Sequence, residues 1–252
     1  MTTFQLASDE VHTWCGSLDV PPETSACLYT TLTPGERQRS ARFQFDRDRQ
    51  RFIVAHGVLR DLLGRYLRIP PGQIRFVYNE YSKPDLTPEF GTRLKFNLSH
   101  SADLALIAIA TGSDVGVDVE YIRPQCNDAD IARSFFSSIE VEYLSALPSH
   151  RYAEAFFSCW TKKEAYVKAR GKGLAIPLDS LSVPLTTDPE ETPLDLRAPD
   201  DIVAARRWSL YTLRPAPGYA GALAIEGSGW RLSQRKWKMP PDSSQKALAL
   251  TM

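Results

Sequence analysis

Hydrophobic positions along the chain recur with two different periods. Helical spacing of apolar residues predicts long helices from Arg49 to Tyr66 and from Arg151 to Arg170, and shorter ones over residues 128–136 and 137–147. Thr33 is expected to cap a further helix that begins at Pro34. Short apolar runs predict strands at residues 11–14, 74–78, 95–98, 104–110, 115–122, 177–183, 208–212 and 220–225.

These elements fall into two groups along the chain. The order is strand, helix and strands, followed by strand, helices and strands, which predicts an α+β fold in two halves. The turn at Gly112-Ser113 separates them, so we expect an N-terminal subdomain over residues 1–114 and a C-terminal subdomain over residues 115–232. Residues 233–252 show no clear pattern, and we expect a mobile tail there.

Composition narrows the class of protein. The 252 residues are 43% hydrophobic and 24% charged, as in soluble globular proteins, and a net charge of zero gives no reason to expect a nucleic-acid or membrane partner. No apolar run reaches the roughly 18 residues of a membrane span, and residues 1–10 lack the features of a signal peptide. The four cysteines form no C-x-x-C pair, which favours reduced thiols in a cytoplasmic protein.

Positive charge is concentrated in one segment of the first half. Residues 36–68 contain nine arginines and four acidic residues. Such an excess is typical of a surface that binds an anion, and a solvated helix surface accounts for it as well.

Two acidic residues share a face of the strand predicted at residues 115–122. Because strand side chains alternate, Asp118 and Glu120 lie on the face opposite Val117 and Val119. Two carboxylates this close repel each other unless a positive charge lies between them. An all-oxygen site for magnesium or manganese is one interpretation, and an exposed polar face is the other.

A third carboxylate interrupts the apolar stripe of the second long helix. Ala153, Phe157 and Trp160 fall on one side of that helix, and Glu164 and Lys168 continue the same stripe. An i,i+4 Glu–Lys pair explains the spacing. It does not explain the position on a core-facing stripe, where a carboxylate is costly unless it is paired or bound to metal. The helix therefore offers a third oxygen ligand to the pair on the strand.

Three sequence blocks resemble the signatures of one enzyme family. FNLSHS (residues 96–101), GVDVEYI (116–122) and FSCWTKKEAYVKARGKGL (157–174) look like those of the 4′-phosphopantetheinyl transferases, in particular the large, surfactin-synthetase-activating type. The last two match the family pattern G-[IV]-D followed by W-x-x-K-E-[AS]-x-x-K, and the resemblance extends from residue 34 to residue 183. It implies a pseudo-twofold pair of similar α+β subdomains, an active site in the cleft between them, and a monomer.

The resemblance also assigns roles to the acidic residues. Asp118, Glu120 and Glu164 match the residues that hold Mg²⁺, with Mn²⁺ as an alternative, against the pyrophosphate of coenzyme A. Glu164 corresponds to the general base, acting directly or through a water. Lys168 corresponds to a lysine that contacts the pyrophosphate, and it completes the expected catalytic set with His100.

Further positions match the family's coenzyme A contacts. Ser99 and His100 correspond to the pair that touches the phosphates, Arg39 to a basic position for the 3′-phosphate, and Arg51 to another basic position. The stretch EYSKP (80–84) resembles E-Y-G-K-P and would bring Lys83 and Pro84 to the adenine end. The chain departs from the family here by a serine in place of the glycine at residue 82. It departs again by a glutamate at residue 36, where some relatives carry a lysine.

The reaction implied is the transfer of 4′-phosphopantetheine from coenzyme A to a serine of an apo acyl or peptidyl carrier protein, with release of 3′,5′-ADP. Such carriers serve fatty acid, polyketide and nonribosomal peptide synthesis. A carrier docking surface is expected over residues 128–147, where Ile131, Phe135 and Phe136 are apolar; the alternative is that these residues are core.

Two other classes of protein are alternative interpretations of the same acidic residues. A magnesium-dependent nuclease or nucleotidyl enzyme would use the same acids, and it would leave the EYSKP and LSHS blocks unexplained. A catalytically silent module that binds carrier proteins or nucleotides would not need Asp118, Glu120, Glu164 and Lys168 intact.

Overall fold

The computed structural model describes residues 3–123, 128–185, 191–193 and 208–239. Its helices are α1 (Pro22–Thr31), α2 (Pro34–Ser40), α3 (Asp46–Leu67), α4 (Ala129–Phe135), α5 (Ser138–Ala146) and α6 (Ser149–Arg170). Its strands are β1 (Glu10–Ser17), β2 (Phe76–Tyr78), β3 (Pro84–Leu86), β4 (Leu94–Ser101), β5 (Leu104–Thr111), β6 (Val115–Tyr121), β7 (Glu191–Pro193), β8 (Trp208–Leu213), β9 (Tyr219–Glu226) and β10 (Arg231–Lys236).

The strands build two four-stranded sheets and a small hairpin. The first sheet has the order β10-β1-β5-β4, in which β10 runs parallel to β1 and the other neighbours are antiparallel. The second sheet has the order β6-β9-β8-β7 and is antiparallel throughout. Strands β2 and β3 form the hairpin. The α+β class expected from the sequence is confirmed.

Each sheet is covered by one 22-residue helix. Apolar side chains of α3 pack against β1, β4 and β5 in one core cluster, and those of α6 pack against β8 and β9 in another. The two halves therefore each bury a sheet face under a long amphipathic helix, as the helical periodicity predicted.

A third apolar cluster joins the two sheets. It combines side chains of β1 and β5 with side chains of β6, β8 and β9: Val11, Leu104, Leu106, Ala108, Ala110, Val115, Val117, Val119, Tyr211, Leu213, Leu223 and Ile225. Val117 and Val119 thus face this core, which leaves the alternate positions of β6 for Asp118 and Glu120.

Strand β6 lies beside β4 at the junction. The side-chain amide oxygen of Asn97 accepts a hydrogen bond from the backbone N–H of Val117 at 2.9 Å. Ser99 and Ser101 follow on the same face of β4, opposite the two acids of β6. Side chains rather than a backbone ladder therefore connect the halves at this edge.

Helix α6 and strand β6 are in close backbone contact at Gly116. A Cβ atom there would lie 2.1 Å from the carbonyl oxygen of Ala165 and 2.2 Å from the backbone nitrogen of Ala169. Only glycine fits this crossing. The contact holds α6 directly over the strand that carries the two acids.

The sequence prediction was wrong in several elements. Residues 177–183 form a short 3-10 helix at Leu178–Ser180 instead of a strand, because their apolar side chains are buried against α6 without strand pairing. Helix α1 and strand β3 were missed, and β9 is not the last strand. Strand β10 occupies part of the expected tail, and Trp237 beyond it is buried.

Strand β10 was not predicted because its sequence, RLSQRK, is mostly polar and its partner strand, β1, is distant in the chain. Glu10 lies opposite Arg231 and Cys15 opposite Lys236. The rest of the expected tail, residues 240–252, lies outside the described residues. The division into subdomains at residue 114 stays a prediction, and the structure adds β10 to the first sheet. Among the described helices, none has the length and apolar character needed to cross a membrane.

Candidate functional site

The candidate site lies where the two halves meet. A cleft of about 300 Å³ opens between the turn at residues 81–84, strand β4 and helix α6, and Glu164 and Lys168 line it. Asp118 and Glu120 approach from β6, and Ser99 and Ser101 from β4. The structure therefore brings together residues from all three sequence blocks.

Asp118 is the most buried acid of the site, with 2% of its surface exposed. Its Oδ1 atom accepts hydrogen bonds from Ser99 Oγ at 2.8 Å and from Lys168 Nζ at 2.6 Å. Lys168 Nζ also donates to Ser99 Oγ at 3.0 Å. The other oxygen, Oδ2, is buried and has no hydrogen-bond partner among the described residues. A buried carboxylate oxygen without a donor is unfavourable alone and suits a bound cation.

Glu120 and Glu164 are half-buried; the charge of Asp118 acts on both of them, and that of Glu120 acts on Glu164. Burial raises the pKa of Glu120 and the charge of Asp118 adds to it, against the hydrogen bond that Ser101 Oγ donates to Oε2 at 2.7 Å. Burial also raises the pKa of Glu164, with Asp118 adding to the shift and Lys168 opposing it. The three carboxylates form one electrostatic unit that additional positive charge would stabilise.

The donor set fits a hard divalent cation. Carboxylate oxygens are the ligands that Mg²⁺ and Mn²⁺ prefer, and the unpartnered Oδ2 of Asp118 offers one directly. Within the described ranges, however, no three His, Cys, Asp or Glu side chains are close enough to form a ready-made metal cluster. Lys168 provides the positive charge bonded to Asp118. The three carboxylates would have to converge further to share one ion.

Among the residues predicted to contact phosphate, His100 lies near Lys168 and Arg51. His100 is exposed, and its pKa is lowered by partial desolvation first and then by the charges of Lys168 and Arg51. Arg51 donates two hydrogen bonds to Asp103, at 2.6 and 3.2 Å, so its guanidinium is already paired. Arg39 is exposed and lies over the ring of Phe52 at 5.4 Å.

Arg39 and His100 are linked through His56, a residue that the sequence analysis did not single out. Burial lowers the pKa of His56 to about 4, and the charges of His100 and Arg39 contribute in the same direction. Arg39 and His100 therefore lie in one basic region around His56.

Lys83 and Pro84 line the cleft, but the ammonium of Lys83 turns away from it. Its Nζ donates to the carbonyl oxygens of Ala169 at 2.7 Å and Val115 at 3.3 Å. Ser82, which replaces the family's glycine, has a left-handed backbone with φ of 64°. A backbone of this kind is one that glycine adopts readily and serine rarely does.

Glu36, the other departure from the family, has a structural role. Its carboxylate accepts hydrogen bonds from the Thr33 backbone N–H at 2.7 Å and from Arg60 at 2.9 Å. Thr33 is the N-cap of α2, as predicted, and Glu36 completes a capping box with it and neutralises the fully buried Arg60. The Glu36 carboxylate is thus buried in the first half of the protein, where it stabilises the start of α2 and the charge of Arg60.

The expected carrier surface divides into exposed and buried residues. Ile131 and Phe135 are exposed, whereas Phe136 is 3% exposed and belongs to the core of the second half. Ile139, on α5, adds a third exposed apolar side chain that the sequence analysis did not name.

Sequence reasoning also missed residues that orient the acids. Ser101 holds Glu120, and Asn97 joins β4 to β6. The polar alternation of Asn97, Ser99 and Ser101 was a signal for this shared face. Nothing in the sequence indicated that Lys163, on α6, is fully buried and paired with Glu140 at 2.7 Å.

Comparison with known proteins gives consistent matches across both halves. Residues 114–224 match the family described as the 4′-phosphopantetheinyl transferase superfamily, and residues 21–112 match "4′-phosphopantetheinyl transferase, N-terminal". The chain is 40% identical over 227 residues to the 4′-phosphopantetheinyl transferase HetI of Nostoc sp. strain PCC 7120, which covers 90% of this chain and 92% of HetI. It is 32% identical over 157 residues to the 4′-phosphopantetheinyl transferase Sfp of Bacillus subtilis strain 168, covering 62% of this chain and 68% of Sfp. It is 36% identical over 140 residues to the 4′-phosphopantetheinyl transferase AcpT of Escherichia coli O157:H7, covering 56% of this chain and 66% of AcpT.

Proposed function

Because the chain belongs to the 4′-phosphopantetheinyl transferase superfamily and is of the Sfp-like type, we propose that its cleft transfers phosphopantetheine with the help of a divalent cation held by Asp118, Glu120 and Glu164. The overall reaction moves the 4′-phosphopantetheine arm of coenzyme A to a serine of an apo carrier protein and releases 3′,5′-ADP. The observation that carries the cation proposal is the buried Oδ2 of Asp118, which has no hydrogen-bond partner in the described part of the chain, beside two other carboxylates whose pKa Asp118 raises.

The carboxylates prepare the site for a negatively charged substrate. Bound Mg²⁺, or Mn²⁺ in its place, would neutralise the diphosphate of coenzyme A and polarise its phosphoryl oxygens. Ser99 and Ser101 each donate a hydrogen bond to one acid and so orient Asp118 and Glu120 before substrate binds. The arrangement supports binding of a diphosphate with little reorganisation of the strands.

Lys168 and His100 contact the diphosphate in this proposal. Lys168 Nζ lies in the cleft within hydrogen-bond distance of both Asp118 and Ser99, so a short movement of its side chain would bring it to a phosphate oxygen. His100 adds a polar group at the accessible edge of the same region. Ser99 completes the contacts from β4.

Glu164 accepts the proton of the carrier serine. The serine oxygen forms a bond to the β-phosphorus, the bond from that phosphorus to the bridging oxygen breaks, and 3′,5′-ADP leaves with the electron pair. The serine proton passes to Glu164, directly or through one water. Glu164 is suited to this step because it lines the cleft, where a substrate hydroxyl can approach.

Arginines of the first half hold the outer end of coenzyme A. Arg39 is exposed next to the basic region and offers a planar fork for the 3′-phosphate. Arg51 is the second contact, and it would share its guanidinium between the phosphate and Asp103. Lys83 and Pro84 form the wall at the adenine end through their backbone, since the Lys83 ammonium bonds to carbonyl groups elsewhere.

The carrier protein docks beside the cleft over residues 128–147. The exposed side chains of Ile131, Phe135 and Ile139 supply an apolar patch of the kind that interfaces bury. We further propose that the protein acts in the cytoplasm as a monomer, without a nucleic-acid or membrane partner. The zero net charge supports the lack of a nucleic-acid or membrane partner, and the apolar cluster that joins the two sheets supports the monomer.

Mass spectrometry of an apo carrier protein tests the proposal. Incubation with coenzyme A and Mg²⁺ should add the mass of one phosphopantetheine arm, and a chelator should prevent the gain. Glu164→Gln should abolish the gain. Glu154→Gln should not, because Glu154 is exposed on the same helix and pairs only weakly with Arg214, at 3.7 Å. Full activity of the Glu164 variant would refute its assigned roles.

A further inference from the structure

The turn between β2 and β3 reaches from the first half of the protein to the end of helix α6 in the second. Asn79 Nδ2 donates to the carbonyl oxygen of Gly171 at 2.8 Å. Lys83 Nζ donates to the carbonyl oxygen of Ala169 at 2.7 Å and to that of Val115, at the start of β6, at 3.3 Å. We call these two side chains the Asn79–Lys83 clasp.

The clasp donates hydrogen bonds to carbonyl groups that the end of a helix leaves without partners. The last carbonyl groups of an α-helix lack partners within the helix and carry partial negative charge, which a cation stabilises. Helix α6 ends at Arg170, and its cap residue Gly171, with a left-handed φ of 62° and an N–H that donates to the carbonyl oxygen of Val167, closes only part of that turn. The ammonium of Lys83 therefore joins three elements: the hairpin turn, the end of α6 and the start of β6.

The turn that carries the clasp is held in a defined shape. Asn79 Oδ1 accepts hydrogen bonds from the backbone N–H groups of Tyr81 at 3.0 Å and Lys83 at 2.9 Å. Ser82 adopts the left-handed conformation between them. The fit against α6 is close, because a Cβ at Gly171 would lie 2.8 Å from Cδ of Lys83. A turn fixed in this way can transmit its position to the helix.

The clasp acts next to residues of the proposed active site. Ala169 directly follows Lys168, and Glu164 lies little more than one turn earlier on the same helix. On its other side, the turn forms the wall of the cleft that Glu164 and Lys168 line. The residues of this turn thus border the proposed adenine end of the cleft and also hold helix α6, which carries Glu164 and Lys168.

We propose that Asn79 and Lys83 are positioning residues, which fix the last turn of α6 so that Glu164 and Lys168 meet Asp118 and the substrate. They act through main-chain carbonyl groups of α6 and not by contact of their side chains with coenzyme A. This inference rests on the proposed function of the cleft. A side chain that bound the adenine end directly would affect substrate affinity, whereas the clasp affects the rate of transfer.

Lys83→Met and Asn79→Ala test the clasp, with Lys95→Met as the matched control. Lys95 is a neighbouring lysine that pairs with Asp85 and does not reach α6. Turnover is measured with saturating apo carrier protein over a range of coenzyme A concentrations, and binding of 3′,5′-ADP is measured by calorimetry. We expect kcat to fall by about 10- to 100-fold in both clasp variants, as for a misplacement near 1 Å, with the affinity for 3′,5′-ADP unchanged. Lys83→Arg, which can still donate to both carbonyl groups, should recover part of the rate.

Hydrogen exchange provides a readout that needs no substrate. Amides of residues 168–172 should exchange faster in Lys83→Met and Asn79→Ala than in the wild type or in Lys95→Met. Unchanged exchange and unchanged kcat in both clasp variants would overturn the proposal. So would a loss confined to KM and to 3′,5′-ADP affinity, which would indicate direct contact. A wild-type protein without transferase activity would instead refute the proposed function, while the exchange measurement would still decide whether the clasp orders α6.

Discussion

Replacing Gly116 by alanine tests whether the crossing of α6 over β6 sets the geometry of the site. The added methyl group would lie 2.1 Å from the carbonyl oxygen of Ala165, and ordinary contact begins at 3.4 Å. It would also lie 2.2 Å from the backbone nitrogen of Ala169. Both obstacles are helix backbone, which cannot rotate away as a side chain can. The helix must therefore move from the strand by about 1 Å.

This displacement has two consequences of different size. Overpacking of a well-packed contact lowers the free energy of unfolding by about 1–3 kcal/mol. The same shift moves Lys168 and Glu164 relative to Asp118, and the 2.6 Å bond between Lys168 and Asp118 would stretch beyond hydrogen-bond distance. A misplacement of this size near reacting groups lowers the rate by about 100-fold, or about 2.7 kcal/mol in activation free energy.

The assay compares Gly116→Ala with Gly35→Ala. Gly35 lies in α2 and has no atom within 4 Å of the position a Cβ would take, so its replacement should leave stability equal or slightly higher and activity unchanged. Melting temperature and the rate of holo carrier formation are measured for both variants. A Gly116 variant that matches the wild type in both quantities would show that the crossing does not control the site.

Two further predictions concern stability. Lys163→Met should lower the free energy of unfolding by about 3–5 kcal/mol, because it leaves the buried Glu140 carboxylate without the ammonium that lies 2.7 Å away. Chemical denaturation measures this change, with the exposed Glu154→Gln as the control. An effect of Lys163→Met as small as that of the control would contradict the prediction. Burial lowers the pKa of His56 from 6.5 in the unfolded chain to about 4 in the folded protein. Above pH 6.5 the imidazole is neutral in both states, so it does not make the free energy of unfolding depend on pH. As the pH falls from 6.5 towards 4, only the unfolded state takes up the proton, and the native state therefore loses stability. The loss from this group is at most about 3 kcal/mol, and His56→Phe, which keeps a ring against Phe52, should flatten the curve in that window; a pH profile identical to the wild type would contradict the assignment.

Local patterns in the sequence predicted much of the site. Alternation along β6 separated Asp118 and Glu120 from the valines of the core, and the structure has that arrangement. Helical spacing along α6 marked Glu164 and Lys168 as charged positions on an otherwise apolar stripe, and both line the cleft. These predictions succeeded because each depends on residues only two to four positions apart, whose directions the backbone geometry dictates.

Contacts between segments that are distant in the chain could not be predicted from helix and strand periodicity. Lys162 and Lys163 do not belong to the apolar stripe of α6, yet both are fully buried. Lys162 donates to the carbonyl oxygen of Pro184, and Lys163 donates to those of Leu178 and Leu181. A periodic pattern reports which face of an element is apolar, but it does not report which carbonyl groups another segment will bring to a lysine.

The sequence by itself determined the α+β class, the long helices, and the charged residues of β6 and α6 that meet at the candidate site. Only the tertiary structure decided that β10 joins the first sheet beside β1, that Ser101 holds Glu120, and that the Lys83 ammonium bonds to α6 instead of facing the cleft. The reason is that helix and strand periodicity arises from local backbone geometry, whereas parallel strand pairing and side-chain hydrogen bonds to the backbone depend on which distant segments the packed core brings together.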